Sequence, residues 1–156
     1  RRDPMKDHES LLAVLEQLPD VTALAIGLGT DTLPDRPNLR RLGARTDVPR
    51  LLTACDIIIS TSAFGEGFSN ALAEGMATGL IPITTDVGDS RLIAGDVGCV
   101  VPPRDPDSIV DAVKRLMAAP LEERMRRKDQ ARARIETRFT LSKAADAYMS
   151  LYRGLA

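Results

Sequence analysis

Residues 64–79 read FGEGFSNALAEGMATG, and this stretch decides the fold. A short apolar run with a β-branched centre precedes it at 56–60 (DIIIS), and another follows it at 80–85 (LIPITT). Runs of this kind predict strands, so the unit is strand, loop, helix, strand. In a parallel sheet the loop then lies at the carboxyl edge of the strands, where α/β proteins bind ligands. The stretch therefore predicts an α/β domain with a ligand site in this loop.

The start of the predicted helix has the chemistry of an anion site. Ser69 is expected at the N-cap, and the unpaired N–H groups of the first turn, at the positive end of the helix dipole, attract an anion such as phosphate. Glu74 follows Asn70 by four residues and therefore lies on the same helix face. A carboxylate one turn behind a phosphate-binding helix end suits the diol of a ribose.

The rest of the chain alternates apolar runs with amphipathic stretches, which predicts a parallel sheet with helices on both faces. Strands are expected at 21–27, 38–42, 56–60, 80–85 and 98–101. Helices are expected at 7–18, 47–54 with Asp47 as cap, after Ser69, at 90–94, from Pro106 with Asp105 as N-cap, at 121–138 and at 141–152.

The spacing from Glu66 to Glu74 resembles the E-x7-E motif of the retaining glycosyltransferases of family 4, the group 1 glycosyl transferases, whose enzymes have the two-domain GT-B fold. Four further segments resemble motifs of that family in the right order. They are RRDPMKD at 1–7 (the Arg-x4-Lys entry loop), GARTDV at 43–48 (Gly-x-x-x-Asp-Val), TDVGD at 85–89 (Thr-Asp-x-Gly) and VVPPRDP at 100–106.

The resemblance implies a doubly wound parallel sheet, the Rossmann-like donor half of a GT-B fold, with its first strand missing or truncated. Residues 1–156 then form the C-terminal, nucleotide-sugar-binding domain, because a chain of this length builds one core. Since the chain starts inside a motif, we expect an excised fragment that lacks the N-terminal acceptor domain and is inactive alone.

For the chemistry, the resemblance implies that Arg1 and Lys6 meet the donor diphosphate and offset the negative charge that builds on the leaving nucleotide. It implies that Glu66 is the carboxylate at the catalytic centre, beside the hydroxyls of the donor sugar, and that Glu74 binds the ribose. Plainer alternatives remain open: solvated terminal cations for Arg1 and Lys6, an acid beside a turn for Glu66, and a surface glutamate for Glu74.

The remaining donor-binding residues implied by the resemblance belong to three loops. At the start of the predicted helix, the implied donor-binding residues are Gly67, Phe68, Ser69 and Asn70, whose backbone N–H groups face the sugar and phosphate, and Gly67 permits close approach of the backbone. In the loop at 43–45, Arg45 lies at the nucleobase edge, with a plain turn as the alternative. In the loop after the fourth strand, Gly88 lies near the phosphates. In that last loop the chain departs from the family pattern, with Asp89 at the usual second glycine and Leu92 where an acid is frequent.

The implied reaction moves a sugar, a hexose in the usual case, from a UDP-, GDP- or ADP-sugar to a hydroxyl acceptor with retention, as in polysaccharide biosynthesis. No cofactor or metal is expected. Two alternatives stay open: a non-catalytic module of the same fold that binds nucleotide or protein, and the donor half of a sugar-nucleotide epimerase.

The charge and composition of the chain indicate which classes of partner it can bind. A formal net charge of -1 and a pI near 5.9 argue against a nucleic-acid partner. The basic residues at 124–138 alternate with acids, which indicates a solvated helix face or, as the alternative, contact with anionic lipid headgroups. The resemblance implies a cytoplasmic protein that works at the inner face of the membrane.

A few remaining features predict structure rather than chemistry. Cys55 and Cys99 have no metal or redox spacing and are expected as core thiols, and the lone His8 does not indicate a metal site. The sequence GLG at 27–29 predicts a tight turn, not a dinucleotide loop. An apolar stripe on the last helix is expected to promote self-association or a mobile C-terminus; it consists of Leu141, Ala144, Ala145, Tyr148, Leu151 and Tyr152.

Overall fold

Five short strands alternate with helices in the computed structural model, which describes residues 2–155. The strands are β1 Ala23–Ile26, β2 Leu39–Gly43, β3 Ile57–Ser60, β4 Ile81–Thr85 and β5 Cys99–Val101. The helices are α1 His8–Gln17, α2 Val48–Leu52, α3 Asn70–Ala77, α4 Ser90–Ala94, α5 Pro106–Ala118, α6 Leu121–Arg138 and α7 Leu141–Leu155, with 3₁₀ turns at Pro4–Lys6 and Thr30–Thr32.

All strand pairs are parallel, which confirms the predicted fold class. Hydrogen bonds divide the strands into two sheets, β1-β2 and β3-β4-β5. The register of the larger sheet pairs Ile57 with Ile81 and Ile83 with Cys99. Within residues 2–155, β1 and β3 are not paired with each other, so the two sheets meet without a common hydrogen-bond ladder.

Helices cover both faces of the β3-β4-β5 sheet, because side chains alternate between the two faces of each strand. On one face Ile81 and Ile83 pack against α1 and α5, as shown by their cluster with Val14 and Val113. On the other face Ile58 packs against the cluster formed by α3, α4 and α6. This two-sided burial explains why the strands read as nearly continuous apolar runs.

Helix α3 lies directly on β3 because Gly75 carries no side chain. A Cβ atom at Gly75 would lie 2.9 Å from the Cβ atom of Ile58, closer than packed carbons tolerate. The close contact fixes where α3 crosses the sheet. As a result, the first turn of α3 follows the loop that leaves the carboxyl end of β3.

The helix caps follow the sequence prediction in part. Asp105 accepts a hydrogen bond from the Ser108 N–H at 3.1 Å, and Pro106 is the first residue of α5, as predicted. Asp47 is the N-cap residue of α2, as predicted, and the helix ends at Leu52, two residues before the expected end. The Asp47 carboxylate makes no capping hydrogen bond, because it accepts two hydrogen bonds from Arg45 instead.

The basic residues of α6 are largely engaged with the domain itself. Arg127 pairs with Glu123 one turn away, and Lys128 pairs with Asp56 at 2.6 Å. The guanidinium of Arg134 donates to the carbonyl oxygens of Leu92 and Ile93 at the end of α4. The Arg127–Glu123 pair agrees with the predicted pairing one turn apart, whereas Lys128 and Arg134 bind other parts of the domain and so depart from the predicted solvated face. Contact with anionic lipid stays a prediction.

The thiols of Cys55 and Cys99 are both free. Cys99 packs against the apolar cluster between the sheet and α5, as predicted for a core thiol. Cys55 is half-buried, and burial raises the pKa of its thiol. Within the described part of the chain there is no group of residues that could hold a metal ion, and no helix long and apolar enough to cross a membrane.

Candidate functional site

Three chain segments meet at the carboxyl ends of β3 and β4: residues 2–6, the loop 61–69 and the loop 86–89. The first of them is fastened to the second by two hydrogen bonds. The Ala63 N–H donates to the Met5 carbonyl oxygen at 2.8 Å, and the Thr61 hydroxyl donates to the Lys6 carbonyl oxygen at 2.7 Å. These bonds hold the Lys6 backbone at the carboxyl end of β3.

Lys6 and Glu66 form an ion pair between the ammonium group and the carboxylate oxygen Oε1. The hydroxyl of Ser62 donates to the same oxygen at 2.6 Å, and the carbonyl of Ser62 in turn accepts a hydrogen bond from the buried Thr85 hydroxyl. Only 7% of the Glu66 side chain and 28% of the Lys6 side chain is exposed. Partial burial strengthens the attraction between the two charges, and Ser62 compensates part of the desolvation of the carboxylate.

The loops after β3 and β4 are in backbone contact. Gly88 has a positive φ of +57°, and a Cβ atom there would lie 2.3 Å from the Glu66 carbonyl oxygen. The next residue, Asp89, donates its N–H to the Gly67 carbonyl oxygen at 3.2 Å. Gly88 is therefore required for the approach of the two loops. Gly67 differs, because a Cβ atom at that position would meet nothing within 4 Å.

The start of α3 presents unpaired backbone donors beside this loop. Ser69 is the buried N-cap residue, as predicted, but its side chain makes no capping hydrogen bond. Within residues 2–155, no acceptor is found for the N–H groups of Gly67, Phe68, Asn70 or Ala71. Such groups at a helix N-terminus form a site suited to an anion.

Glu74 lies on the exposed side of α3, four residues after the equally exposed Asn70. In the part of the chain that the structure describes, its carboxylate forms no hydrogen bond or ion pair. The side chain therefore has no role in holding the fold together. It is available to a ligand that extends along α3 from the first turn.

Phe68 connects the loop to the distant end of α6. Its ring, with 41% of the residue exposed, lies 5.6 Å from the ring of Phe139, measured between centroids. The guanidinium carbon of Arg134 lies 5.9 Å from the centroid of the Phe139 ring. Sequence analysis missed Phe139, because no local pattern relates the residue that follows α6 to a loop near residue 68.

Arg45 belongs to a separate group on the loop after β2. Its guanidinium donates two hydrogen bonds to the Asp47 carboxylate, at 2.8 and 2.9 Å. This pairing raises the pKa of Arg45 and lowers that of Asp47. Gly43, two residues earlier, approaches the Asp31 side chain. Within residues 2–155, Arg45 forms no hydrogen bond or ion pair with Lys6 or Glu66.

Arg1, predicted as a phosphate-binding cation, lies outside the described residues. Its neighbour Arg2 donates a backbone hydrogen bond to the Leu28 carbonyl oxygen at 2.7 Å. The Arg2 guanidinium also donates to the carbonyl and hydroxyl oxygens of Thr32, at 3.0 and 2.8 Å. Arg2 thus anchors residues 2–6 on the turn after β1, and the turn predicted at 27–29 is confirmed by the 3₁₀ turn that follows it.

The sequence analysis missed Ser62 and named Thr85 only as the first residue of the TDVGD segment. A usable signal existed, since Ser62 lies two residues after β3 and Thr85 ends β4, at the carboxyl edge of the sheet. Burial lowers the pKa of His8, and the nearby charge of Arg2 lowers it further.

Comparison with known proteins identifies relatives for most of the chain. The family model described as Glycosyl transferases group 1 matches residues 3–119. A phosphatidyl-myo-inositol mannosyltransferase of Mycolicibacterium smegmatis is 32% identical over an alignment of 125 positions, which covers 71% of this chain and 32% of that protein.

Solved structures share the fold. Anabaena HepE, crystallised in complex with UDP-glucose, superposes with a TM-score of 0.84 at 22% identity, over 98% of this chain and 47% of HepE. The C-terminal domain of LpcC, a glycosyl transferase group 1 family protein of Francisella tularensis, superposes with a TM-score of 0.72 at 23% identity, over 90% of this chain and 83% of that domain. The chain thus spans about a third of the mannosyltransferase and less than half of HepE.

Proposed function

The chain belongs to the glycosyl transferases group 1 family as a C-terminal, Rossmann-like domain of the GT-B fold, and from this premise we propose that it binds the nucleoside-diphosphate sugar of a transfer reaction. The observation that carries the proposal is the meeting of the Lys6–Glu66 pair with the unpaired N–H groups at the start of α3. HepE, which has the same fold, was crystallised with UDP-glucose, and this supports a nucleotide sugar as the ligand.

The diphosphate is assigned to Lys6 and to the backbone N–H groups of residues 67–71. A phosphate at this position is attracted by the Lys6 ammonium and accepts hydrogen bonds from backbone N–H groups that have no acceptor within residues 2–155. As the bond between sugar and phosphate breaks, negative charge grows on the leaving nucleotide, and donors already oriented toward it stabilise the transition state. Arg1 is proposed as a second cation.

The sugar and the ribose are assigned to two carboxylates. Glu66 is held by Lys6 and Ser62 in a nearly buried position, so it presents a fixed acceptor to the hydroxyls of the transferred sugar. Glu74 is exposed on α3 and suits the ribose diol. Arg45 is proposed to lie beside the base, because its loop occupies the same edge of the fold beyond β2.

The proposed reaction transfers a hexose from a UDP-, GDP- or ADP-sugar to a hydroxyl acceptor with retention and without a metal ion. The name of the mannosyltransferase relative supports a hexose and a lipid acceptor. Action in the cytoplasm at the inner face of the membrane is a further part of the proposal. The acceptor site belongs in this proposal to an N-terminal domain, so residues 1–156 alone are expected to be inactive.

Calorimetric titration of the chain with UDP, GDP and ADP tests the proposal, with uridine and pyrophosphate as partial ligands. We expect one diphosphate to bind more tightly than either its nucleoside or pyrophosphate, because it alone fills both subsites. If none of the three nucleotides binds to a sample whose circular dichroism shows folded protein, the donor-binding proposal is wrong.

A further inference from the structure

The N–H groups assigned to the phosphate begin in a loop that belongs to no strand or helix. Residues 61–69 lie between the end of β3 and the start of α3. A Cβ atom at Gly67 would meet nothing within 4 Å, so the backbone there is open on one side. The direction of these N–H groups therefore depends on the contacts that the loop makes with other segments.

Two neighbouring residues of the loop are held by two different elements. The Gly67 carbonyl oxygen accepts a hydrogen bond at 3.2 Å from the N–H of Asp89, the residue immediately before α4. The Phe68 ring lies 5.6 Å from the ring of Phe139, the residue immediately after α6, and the two ring planes are inclined by 54°. This distance and inclination are those of a favourable aromatic pair. Neither contact uses the N–H group of Gly67 or Phe68.

Arg134 joins the two elements that hold the loop. Its guanidinium donates to the carbonyl oxygens of Leu92 and Ile93, at 2.6 and 2.8 Å, near the end of α4. The same guanidinium lies over the Phe139 ring, with its central carbon 5.9 Å from the ring centroid. A Cβ atom at Gly95, the residue after α4, would overlap the guanidinium, so Arg134 is packed against the end of that helix. Arg134 thus fixes the position of Phe139 relative to α4.

Together these contacts form a closed circuit, here called the support circuit. Asp89 lies at one end of α4 and Arg134 binds the other end, so this helix completes the connection. The members of the circuit, in order, are Gly67, Asp89, α4, Arg134, Phe139 and Phe68. The circuit restricts the loop from both sides, because a shift of Phe68 would have to move Phe139 or break the aromatic contact.

Packing in the core does not by itself account for this arrangement. Phe139 is partly buried against the apolar cluster formed by α3, α4 and α6, a position that a leucine would also fill. A leucine, however, lacks the flat aromatic ring that contacts both the Phe68 ring and the Arg134 guanidinium. Phe68 itself is 41% exposed, so its contact with Phe139 contributes less to burial than to orientation.

We propose that Phe139 and Arg134 are positioning residues of the donor site, which act through Phe68 to direct the N–H groups of residues 67–71 toward the diphosphate. The inference rests on the proposed function, since it takes a nucleoside diphosphate as the ligand. Neither residue touches the ligand in this proposal. Their effect should therefore appear in the affinity for a diphosphate and not in the affinity for a nucleoside.

The test compares variants that change the circuit with one that changes only the core. Phe139→Leu and Phe68→Leu each remove one aromatic ring, Phe139→Tyr retains the ring, and Arg134→Lys retains the charge but loses the planar group. Val97→Ala is the control, because Val97 packs against the same apolar cluster but belongs to no contact of the circuit. Calorimetry measures the affinities for UDP and uridine. Relaxation of ¹⁵N in the nucleotide-free chain measures the order parameters of amides 67–71.

Phe139→Leu should lower the affinity for UDP about 3- to 10-fold, as expected when an aromatic pair is lost, and the affinity for uridine less than about twofold. The order parameters of amides 67–71 should fall in the same variant. Arg134→Lys should show these changes to a smaller extent, while Phe139→Tyr and Val97→Ala should match the parent in the ratio of the two affinities and in the order parameters.

A double-mutant cycle tests whether Phe139 acts through Phe68. Phe68→Leu and the double variant Phe68→Leu, Phe139→Leu should bind UDP about as weakly as Phe139→Leu, because all three lack the same contact. UDP losses that add in the double variant would overturn the proposal. Phe68→Leu, at the more exposed position, also provides the test if Phe139→Leu does not fold.

Equal losses of UDP and uridine affinity, unchanged order parameters, or the same UDP-specific loss in Val97→Ala would show that Phe139 only stabilises the fold. Unchanged UDP binding by Arg134→Lys would exclude Arg134 from the positioning role. If the parent itself binds no diphosphate, the proposed function is wrong and this inference with it. A parent that binds UDP, with Phe139→Leu and Phe68→Leu binding it equally well, refutes the inference alone.

Discussion

The ammonium of Lys6 and the carboxylate of Glu66 form an ion pair across a separation of 60 positions in the sequence. Lys6 comes from the segment before α1 and Glu66 from the loop after β3, so the pair joins two of the three segments of the site. A phosphate bound as proposed would share the Lys6 ammonium with the Glu66 carboxylate, which Ser62 also contacts. Substitutions at these two residues should therefore change ligand binding and the local structure together.

Replacing Lys6 with alanine is expected to lower the affinity for UDP about 10- to 100-fold, the loss typical of a hydrogen bond to a charged group. The affinity for uridine, which has no phosphate, should fall less. Added salt should reduce the difference, because the ammonium is partly exposed. Calorimetry of both ligands at two salt concentrations measures this. Lys114→Ala, which removes an exposed lysine of α5, is the control. Equal weakening of UDP and uridine would show that Lys6 does not act on phosphate.

Replacing Glu74 with alanine is expected to make the binding free energy of UDP less favourable by about 1 to 3 kcal/mol, because a charged partner of the ribose diol is lost. Pyrophosphate, which has no ribose, should bind as before. Thermal unfolding should not change, since the side chain is exposed and has no described partner in residues 2–155. Glu136→Ala, at an exposed position of α6, is the matched control. Unchanged UDP binding by Glu74→Ala would refute the ribose assignment.

Substitution with alanine should lower the stability of the chain at Gly88 and its affinity for UDP at Gly67. Gly88→Ala places a Cβ atom against the Glu66 carbonyl oxygen at positive φ, so the free energy of unfolding should fall by about 1 to 3 kcal/mol. Gly67→Ala meets no protein atom within 4 Å and should leave stability unchanged, yet weaken UDP by about tenfold if phosphate occupies that space. Urea unfolding and calorimetry measure the two effects. A Gly67→Ala chain with normal affinity would place the ligand elsewhere.

Asp105 should make stability depend on pH. Hydrogen bonds from Ser108 lower its pKa in the folded chain below the usual value of 3.8. Its contribution is therefore present above that value and is lost as the pH falls through the lowered pKa. Between about pH 5 and pH 3, the free energy of unfolding should fall more in the parent than in Asp105→Asn, which keeps a capping oxygen but does not titrate. Identical pH dependence in urea unfolding of both proteins would contradict this.

The last helix is expected to make the chain associate. Tyr148 and Tyr152 are each 65% exposed, and Leu141 and Leu151 on the same helix are also exposed. Exposed apolar surface of this kind favours association. We expect Tyr148→Asp or Tyr152→Asp to give a more monomeric sample in light scattering. A monodisperse parent with slow hydrogen exchange along α7 would show that the stripe is satisfied within one chain.

Sequence reasoning was strongest where a pattern is local. The expected bounds of α6 match the observed ones, and the Asp105-Pro106 signal predicted the start of α5, because caps and the helical spacing of charged residues are encoded within a few residues. At α2, Asp47 binds Arg45 instead of the helix, so a competing side chain two residues away overrode the cap signal.

The sequence predicted where the candidate residues lie in the fold, but not which residues they contact. Glu66, Gly67, Ser69, Glu74 and Gly88 all lie on loops or on α3 at the expected edge of the sheet. The partners of those residues could not be predicted, since they depend on how separate loops pack. The bonds from Ser62 to Glu66, and the contact between Phe68 and Phe139, therefore emerge only from the structure.

Amide NMR of the ¹⁵N-labelled chain during titration with the tightest-binding nucleoside diphosphate tests the proposed donor site at the start of α3. We expect the largest shifts at the N–H groups of residues 67–71 and at Gly88, where unpaired donors and the loop contact surround the proposed phosphate. We expect smaller shifts around Glu74 and Arg45. Saturable shifts confined to other parts of the chain, with residues 67–71 unchanged, would contradict a donor site at the start of α3.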